Sequence, residues 1–234
     1  SEASTGFNIR GGNIDQNLIL VDGIPLFNTS HLFGFFSTIH PDVVSDVTLY
    51  KGNIPANFGG RISSVMDIKL KNNSIEKPVL NMGIGLINTR VNTEIPLLND
   101  KVSLVAGARS TYSDWILNRL ADPDLRESSA GFYDLIGKLK WQINRNNSVS
   151  LFAYQSSDRF NFASTSSYRY GNQLGNMRYQ HIFSNRLSLH ALVGFSSYTL
   201  QVENEAYEED PFASSMSSSI LQKTAKIDLT WVPF

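Results

Sequence analysis

The sequence contains no cysteine in 234 residues, and it is poor in charge and in long apolar runs. The missing cysteine excludes disulfides, thiolate metal sites and thiol catalysis. Charged residues make up 18% of the chain, against about 25% in a typical soluble domain, and the formal net charge is −1. Without a basic field to attract phosphates, no nucleic-acid partner is expected. No apolar run approaches the roughly 18 residues that a membrane-spanning helix needs, so such helices are excluded.

Motifs of the common catalytic sites are also missing. The 4 histidines are His31, His40, His181 and His190. None of them has a second histidine or a carboxylate at the spacing of a metal-binding helix. The chain has neither a phosphate-binding glycine loop nor a Gly-x-Ser-x-Gly turn. We therefore expect no catalytic residue, no metal, no cofactor and no enzymatic activity.

Residues 1–72 contain short apolar runs separated by Gly, Pro and Asn, a pattern that favours a small mixed sheet. The runs that we interpret as strands are 17–21, 47–50 and 64–70. Pro41, followed by an acidic residue, favours one or two helical turns just before the second strand. The polar residues that begin at Lys71 predict a linker, which we place at 73–78.

Residues 79–234 change to a period of two, in segments close to the 9–11 residues that cross a bilayer as a tilted strand. In each segment one face is more apolar than the other. We predict about eight strands, with boundaries uncertain by about 2–4 residues. Their approximate ranges are 79–87, 89–97, 101–112, 132–144, 148–162, 174–184, 187–202 and 219–232.

The predicted connections alternate in length. Tight polar turns are expected at 98–100, 145–147 and 184–186, and long loops at 113–131, 163–173 and 203–218. This asymmetry is typical of outer-membrane barrels, which have short periplasmic turns and long external loops. A soluble β-sandwich also alternates apolar and polar residues and remains an alternative. Within the first long loop, 114–125 is expected to form either a short helix over the barrel mouth or a packed loop.

Four glycine-containing segments follow one another in the first part of the chain. They are Arg10-Gly11-Gly12, 18–25, 46–52 and 58–68. Their order and spacing resemble the second half of the plug domain of TonB-dependent outer-membrane receptors. In addition, 28–36 and 108–112 resemble the branch of this family found in Bacteroidetes-type bacteria. The resemblance implies a plug half at 1–72, the linker at 73–78 and the N-terminal portion of a barrel at 79–234.

The size of such a plug constrains the size of the barrel. A plug of about 70 residues cannot fit inside eight strands, whereas a barrel of about 22 strands encloses one. The expected fold class is therefore mainly β, with a small mixed α+β plug inside a partial transmembrane antiparallel β-barrel. The resemblance also implies that the TonB box and the first half of the plug precede these residues.

The resemblance implies active uptake of an external ligand across the bacterial outer membrane. Siderophores, glycans, peptides and cobalamin are all open as ligands. The implied partners are the TonB–ExbB–ExbD complex, outer-membrane lipid and a surface lipoprotein. Two other classes stay open. One is a surface adhesin or structural β-protein without transport, and the other is a soluble carbohydrate-active sandwich, for which we find no convincing carboxylate pair.

In this family the segment after the Asp-Gly strand forms an external apex of the plug, which here corresponds to residues 26–37. Its phenylalanines and small polar groups match the apolar lining with few polar contacts that small-molecule sites need. The candidate ligand contacts are Phe27, Asn28, Ser30, His31, Phe33, Phe35 and Phe36. Alternatively, the phenylalanines pack against the barrel wall.

Charges inside a plugged barrel have to be paired. We therefore expect Arg10 and Lys51 to face carboxylates of the barrel wall. The candidate carboxylates are Glu94 and Asp228. A separate acidic cluster in the last long loop either binds a cation such as Ca²⁺ or is simply solvated. Its members are Glu203, Glu205, Glu208, Glu209 and Asp210.

Overall fold

The structure is a computed structural model that describes residues 9, 11, 13–72, 77–98, 101–163, 165–205 and 213–233. Within these ranges the chain forms 14 β-strands and two short α-helices. None of the helices in this part of the chain is long and apolar enough to cross a membrane.

The first six strands form a small domain. They are β1 (Asn17–Val21), β2 (Ile24–Pro25), β3 (Ser30–His31), β4 (Phe36–Ser37), β5 (Val44–Tyr50) and β6 (Ser64–Leu70). Four of them build a mixed sheet in the order β2-β1-β6-β5, in which β1 and β6 are parallel and the other pairs antiparallel. The strands predicted at 17–21 and 64–70 are confirmed. The predicted turn at Pro41 is a 3₁₀ helix at Pro41–Val43, after which β5 begins three residues earlier than expected.

A two-residue turn joins β1 to β2. Its central residues, Asp22 and Gly23, have φ values of 49° and 85°. Two successive positive φ values define the type I′ turn that suits a tight hairpin, and Asp-Gly is one of its preferred sequences. The turn therefore projects the Asp22 side chain from the end of the sheet.

The remaining eight strands form one antiparallel sheet in which each strand pairs with its sequence neighbour. They are β7 (Val79–Ile84), β8 (Asn88–Leu97), β9 (Val102–Thr111), β10 (Ser129–Asn144), β11 (Asn147–Phe162), β12 (Ser166–Ser184), β13 (Leu187–Asn204) and β14 (Ser214–Trp231). The number of strands and their order agree with the prediction. In the β9–β10 connection the chain forms two one-turn helices, α1 (Asp114–Leu117) and α2 (Pro123–Arg126).

The prediction of a long loop at 163–173 was wrong. Strand β12 already begins at Ser166, and it pairs with β11 up to Phe162. Aromatic residues explain the extension, because Tyr168 lies directly opposite Phe160 and such cross-strand pairs stabilise a ladder. Similarly, β14 begins at Ser214, so the loop predicted at 203–218 is shorter than expected.

The large sheet has an apolar face that is exposed and a polar face that is buried. In β13, Val193 is 55% exposed, whereas the adjacent Leu192 is 8% exposed. Exposed apolar residues of the same outward phase in β10–β13 are Leu135, Trp141, Leu151, Met177, Val193 and Phe195. Buried polar residues of the inward phase are Asp134, Lys138, Ser156, Asp158, Asn172, Asn176 and Ser196. This distribution is the reverse of a soluble sandwich, whose apolar faces meet in the interior.

The small domain packs against the inward face of the large sheet. One hydrophobic core contains Val21, Ile24 and Leu26 of the small domain together with residues of five strands of the large sheet, which we call the wall. The wall residues are Val105, Ile136, Phe152, Tyr154, Leu174 and Leu192. The predicted fold class is confirmed: the chain is mainly β, and a small mixed domain lies against an antiparallel sheet.

Candidate functional site

The segment predicted as the apex, 26–37, contains β3, β4 and the tight turn that joins them. Leu32 and Phe33 have φ values of 49° and 55°, and the Phe35 amide donates to the Leu32 carbonyl at 3.4 Å. Non-glycine residues rarely adopt this left-handed conformation, which persists when the surroundings over-determine it. The contacts that stabilise it come from the wall.

His31 lies fully buried between two carboxylates of the wall. Its Nδ1 is 2.7 Å from Asp158 Oδ2, and its Nε2 is 3.1 Å from Asp134 Oδ2. The imidazole ring also stacks on Phe132, with ring centroids 4.0 Å apart. Burial alone would lower the pKa of His31, but the hydrogen bonds and charges of the two aspartates outweigh it and raise the pKa.

Arg109 completes this charged group. Its Nε and Nη2 donate to Asp134 Oδ2 at 2.9 and 2.6 Å, and the two residues are directly opposite in the β9–β10 register. Nη2 also donates to the carbonyl of Ser37 in the apex at 2.6 Å. Arg109 therefore neutralises one of the carboxylates that face His31 and binds the apex itself. We call His31, Arg109, Asp134 and Asp158 the apex cluster.

Wall side chains also satisfy the backbone of the apex turn. The amide of Leu32 donates to Asp158 Oδ1 at 2.9 Å, and the amide of Phe33 donates to the Tyr170 hydroxyl at 3.0 Å. On the other side, the Tyr154 hydroxyl donates to the carbonyl of Thr38 at 3.1 Å. Because buried amides need partners, these bonds stabilise the left-handed turn.

Asn172 of the wall forms a paired contact with Asn28. The Asn28 amide donates to Asn172 Oδ1 at 3.4 Å, and Asn172 Nδ2 donates to the Asn28 carbonyl at 3.1 Å. The Asn28 side chain in turn accepts from the amide of Ser30 at 3.1 Å. Both ends of the apex, Asn28 and Thr38, are therefore hydrogen-bonded to the wall.

A second attachment lies at the Asp-Gly turn. Lys138 Nζ is 2.7 Å from Asp22 Oδ2, and both side chains are buried. The Asp22 carbonyl accepts from Asn176 Nδ2 and from Arg178 Nη2, both at 2.9 Å. The carboxylate and the carbonyl of one turn residue thus bind three side chains of two wall strands.

The predicted ligand contacts divide into exposed and buried residues. Phe35 is 85% exposed, and Phe33 is partly exposed while its ring makes edge contacts with Phe160 and Tyr168, each at 5.3 Å between centroids. Phe36 packs on Phe132 of the wall. The alternative that the phenylalanines pack against the wall therefore describes Phe36 and part of Phe33, and ligand contact by the apex stays a prediction.

For His31 the structure corrects the idea of a direct ligand contact, whereas Ser30, although largely buried, still lines a neighbouring cavity. Both are buried, and His31 is bound on both sides by the apex cluster. The physical reason is that the two wall aspartates occupy both ring nitrogens of His31, so no polar atom of the ring is left to face a ligand. Both residues support the apex from below.

An open cavity of about 1370 Å³ lies between one side of the small domain, including β1 and the apex, and strands β12, β13 and β14. From the apex it is lined by Phe27, Asn28 and Phe33, among others. Tyrosines of the wall that line it are Tyr168, Tyr170 and Tyr198. A concave space with apolar walls and a few polar groups is typical of small-molecule sites.

The predicted pairing of Lys51 with Glu94 or Asp228 is wrong. Glu94 is bound by Lys71, with Nζ 2.8 Å from Oε1, rather than by Lys51. Lys51 is exposed and has no ion pair within the described ranges. Asp228 is exposed, opposite His190 in the β13–β14 register. Lys71 is nearer because it directly follows β6, which packs on the wall. Arg10 lies outside the described residues.

The acidic cluster is described only in part. Glu203 lies near the end of β13, and Glu205 is exposed. Glu208, Glu209 and Asp210 lie outside the described residues. Among residues that can be assessed, no group of three or more His, Asp or Glu is arranged to hold a metal ion.

Sequence reasoning missed Asp134, Asp158 and Lys138 as functional residues. The signal was present, because a charged residue on the polar phase of a membrane strand needs a partner inside. Asp134 and Lys138 both lie on the polar phase of β10. The alternation of apolar and polar residues along β10 does not indicate which plug residue contacts Asp134 or Lys138.

Comparison with known proteins agrees with this architecture. Residues 1–65 match the family model for the TonB-dependent Receptor Plug Domain. No curated protein matches the sequence. The plug match covers most of the small domain, including the apex and the Asp-Gly turn.

Solved structures share the fold of nearly the whole chain. The outer-membrane transporter YddB of Escherichia coli has a TM-score of 0.65 and 14% identity, over 97% of this chain and 39% of its own. The ferric enterobactin receptor PfeA of Pseudomonas aeruginosa has a TM-score of 0.64 and 15% identity, over 93% of this chain and 38% of its own. The ferripyoverdine receptor of the same species has a TM-score of 0.64 and 14% identity, over 97% of this chain and 34% of its own.

The chain thus spans less than half of the length of these structures. At such identities the likeness concerns the fold, which is that of a plug with part of an outer-membrane β-barrel. Together with the plug match, it assigns the chain to the outer membrane. We call residues of the small domain the plug.

Proposed function

We propose that the chain is part of a TonB-dependent receptor that actively imports an external ligand and has no enzymatic activity. The observation that carries this proposal is the arrangement of the apex. The plug is fastened to the polar face of a lipid-facing wall by buried charge pairs, and its apex borders an open cavity lined by aromatic side chains. Such a plug has to be displaced before anything passes along that face of the wall.

The domain limits follow from this proposal. We assign 1–72 to the second half of the plug, 73–78 to the linker and 79–234 to the first portion of the barrel. The partners are the TonB–ExbB–ExbD complex, which acts on the plug, outer-membrane lipid and a surface lipoprotein. The segments 28–36 and 108–112 support the Bacteroidetes-type branch.

The ligand-contacting set is revised by the burial of each residue. We propose Phe27, Asn28 and Phe33 as contacts from the plug because they line the cavity, and Phe35 because its side chain is 85% exposed, whereas the ring of Phe36 packs on Phe132. Wall contacts that border the same cavity are Tyr168, Tyr170 and Tyr198. Ser30, His31 and Phe36 support the apex. The ligand is a siderophore, a glycan, a peptide or cobalamin.

Uptake by cells of the source bacterium tests this function. Radiolabelled ferric enterobactin, vitamin B12, a neutral oligosaccharide and an oligopeptide serve as probes, in cells with the gene, without it and with TonB deleted. Accumulation of a probe that requires the gene, TonB and the proton-motive force supports the proposal. Unchanged uptake of every probe on gene deletion, with reduced adhesion of the cells to coated surfaces, would overturn it in favour of an adhesin.

A further inference from the structure

The hydrogen-bond geometry defines the protonation state of His31. Both ring nitrogens face carboxylate oxygens, Nδ1 at 2.7 Å and Nε2 at 3.1 Å. A neutral imidazole carries one N–H, so one nitrogen would direct a lone pair at a buried carboxylate. With both aspartates ionised, only the imidazolium can donate to both Asp158 and Asp134. His31 is therefore positively charged when the apex is bound in this way.

With a charged His31, the apex cluster is neutral. His31 and Arg109 contribute two positive charges, and Asp134 and Asp158 contribute two negative charges. Loss of the His31 proton leaves one uncompensated negative charge in a site that excludes water. Breaking a buried pair in this manner is far more costly than breaking an exposed one.

Other titratable groups around His31 do not replace its proton. The wall contributes the Tyr170 hydroxyl, which accepts from the Phe33 amide and hydrogen-bonds to Asp158, and the Tyr154 hydroxyl, which donates to the Thr38 carbonyl. Tyrosine hydroxyls are uncharged near neutral pH. The plug contributes His40, whose pKa is lowered by burial and then by the charge of Arg109. His31 is thus the group of the apex whose charge can change near neutral pH.

The proton on His31 affects the attachment of the plug, because His31 and its charged partners belong to different domains. His31 belongs to the plug, whereas Arg109, Asp134 and Asp158 belong to strands β9, β10 and β11 of the wall. We propose that protonated His31 is a latch that fastens the plug apex to the wall, and that its deprotonation releases residues 26–38. The latch rests on this geometry and does not depend on which ligand is imported.

The direction of the pH dependence follows from linkage. The pKa of His31 is raised above its ordinary value of 6.5 in the latched state. The stabilisation is therefore complete below about pH 6.5 and is lost as the pH rises through the raised pKa. Between these two values, opening of the apex should increase by up to about tenfold per pH unit.

Hydrogen–deuterium exchange of the full-length protein in lipid nanodiscs measures this opening. Peptides covering 26–38 are compared from pH 6 to pH 9, after correction for the intrinsic pH dependence of exchange. The wild type should be protected at pH 6 and lose protection as the pH rises. His31→Gln should exchange rapidly at every pH, and His181→Gln, a wall control outside the cluster, should follow the wild type.

A double variant separates the latch from simple damage. In His31→Gln with Asp158→Asn, the cluster is again neutral, so the apex should regain protection that no longer depends on pH. Wild-type protection that is independent of pH, or a single variant that behaves like the wild type, would overturn the proposal. So would histidine ¹⁵N NMR of the wild type, should it show a neutral His31 ring at pH 6.

This readout is distinct from that of transport. The exchange experiment needs no ligand and no TonB, so the latch can fail while uptake is demonstrated. Equally, a pH-dependent apex in a protein that transports none of the probes would support the latch and contradict the importer.

Discussion

At the scale of single residues, the plug is attached to the wall by charges that are tolerated only in pairs. His31 and Asp22 are both plug residues, and both are buried against wall side chains of opposite charge. For an unpaired buried charge the desolvation cost is several kcal/mol. The attachment is therefore sensitive to the loss of either partner and much less sensitive to the loss of both.

The ion pair of Lys138 with Asp22 provides a test at this scale. Lys138→Met should destabilise the attachment of the plug by about 3–5 kcal/mol, because it leaves the Asp22 carboxylate buried without its partner. Adding Asp22→Asn, which suits the positive φ of the turn, should recover most of the loss. Proteolysis of the plug in increasing denaturant, on the full-length protein, measures both effects.

Lys140→Met is the matched control for that pair. Lys140 lies two residues along β10, is partly exposed and forms no ion pair within the described ranges. Its replacement should change the attachment by less than about 1 kcal/mol. Equal losses for the two single variants would mean that burial of the pair is not what stabilises the plug.

At the scale of elements, the hairpin β1–β2 approaches one wall strand very closely. A Cβ added at Gly194 of β13 would lie 2.7 Å from Ile24 Cδ1 of β2 and 2.5 Å from the carbonyl oxygen of Gly175. Real Cβ atoms do not occur at such distances, so only glycine fits where the plug meets this strand. The glycine in β13 is thus explained by the backbone of the neighbouring strand β12 together with the position of β2.

Gly194→Ala should destabilise the folded protein by about 1–3 kcal/mol, the usual cost of forcing extra volume into a packed interface. Gly137→Ala is the control, since a Cβ at Gly137 of β10 has nothing within 4 Å. Denaturant midpoints of the full-length protein compare the two. If both variants matched the wild type, the packing of β2 and β12 around Gly194 would be looser than the structure indicates.

At the scale of the whole molecule, the wall is an amphipathic sheet whose apolar side is exposed. The plug covers the other side, which carries the polar and charged residues. This orientation suits a lipid environment, because strands of an outer-membrane barrel alternate apolar residues outward with polar residues inward. It differs from the arrangement in a soluble sandwich, whose apolar side faces a second sheet.

Site-directed spin labels test the orientation directly. The chain has no cysteine of its own, so single cysteines can be introduced at chosen positions. In nanodiscs a label at Val193 should be accessible to oxygen dissolved in the bilayer, whereas a label at Leu192 should be shielded by the plug. Similar low accessibility at both positions would indicate a dry contact with another protein layer.

Alternation along the chain predicted the wall well because it is a local property. Which residues of a strand face outward follows from the alternation of neighbouring side chains alone. Turns such as 145–147 are predicted from the turn-forming residues that they contain. The limits of β12 were wrong for a non-local reason. Its first residues are strand because the aromatic pair Tyr168 and Phe160 extends the ladder.

The apex cluster shows what local patterns cannot supply. His31 meets Asp134 and Asp158 across 103 and 127 residues of sequence. Those contacts depend on the depth of the plug and on the register of three wall strands. For the same reason the predicted partner of Glu94 was incorrect, since Lys71 lies closer once β6 packs on the wall.

The sequence by itself determined the class of fold, the number of wall strands, the apolar face and the positions of the plug motifs. These depend on side-chain periodicity and on backbone preferences of a few neighbouring residues. Only the tertiary structure decided that His31 is buried, that Phe35 is exposed and which charges are paired. The free energy of a buried charge depends on the distance to its partner and on the exclusion of water, and neither exists before the plug meets the wall.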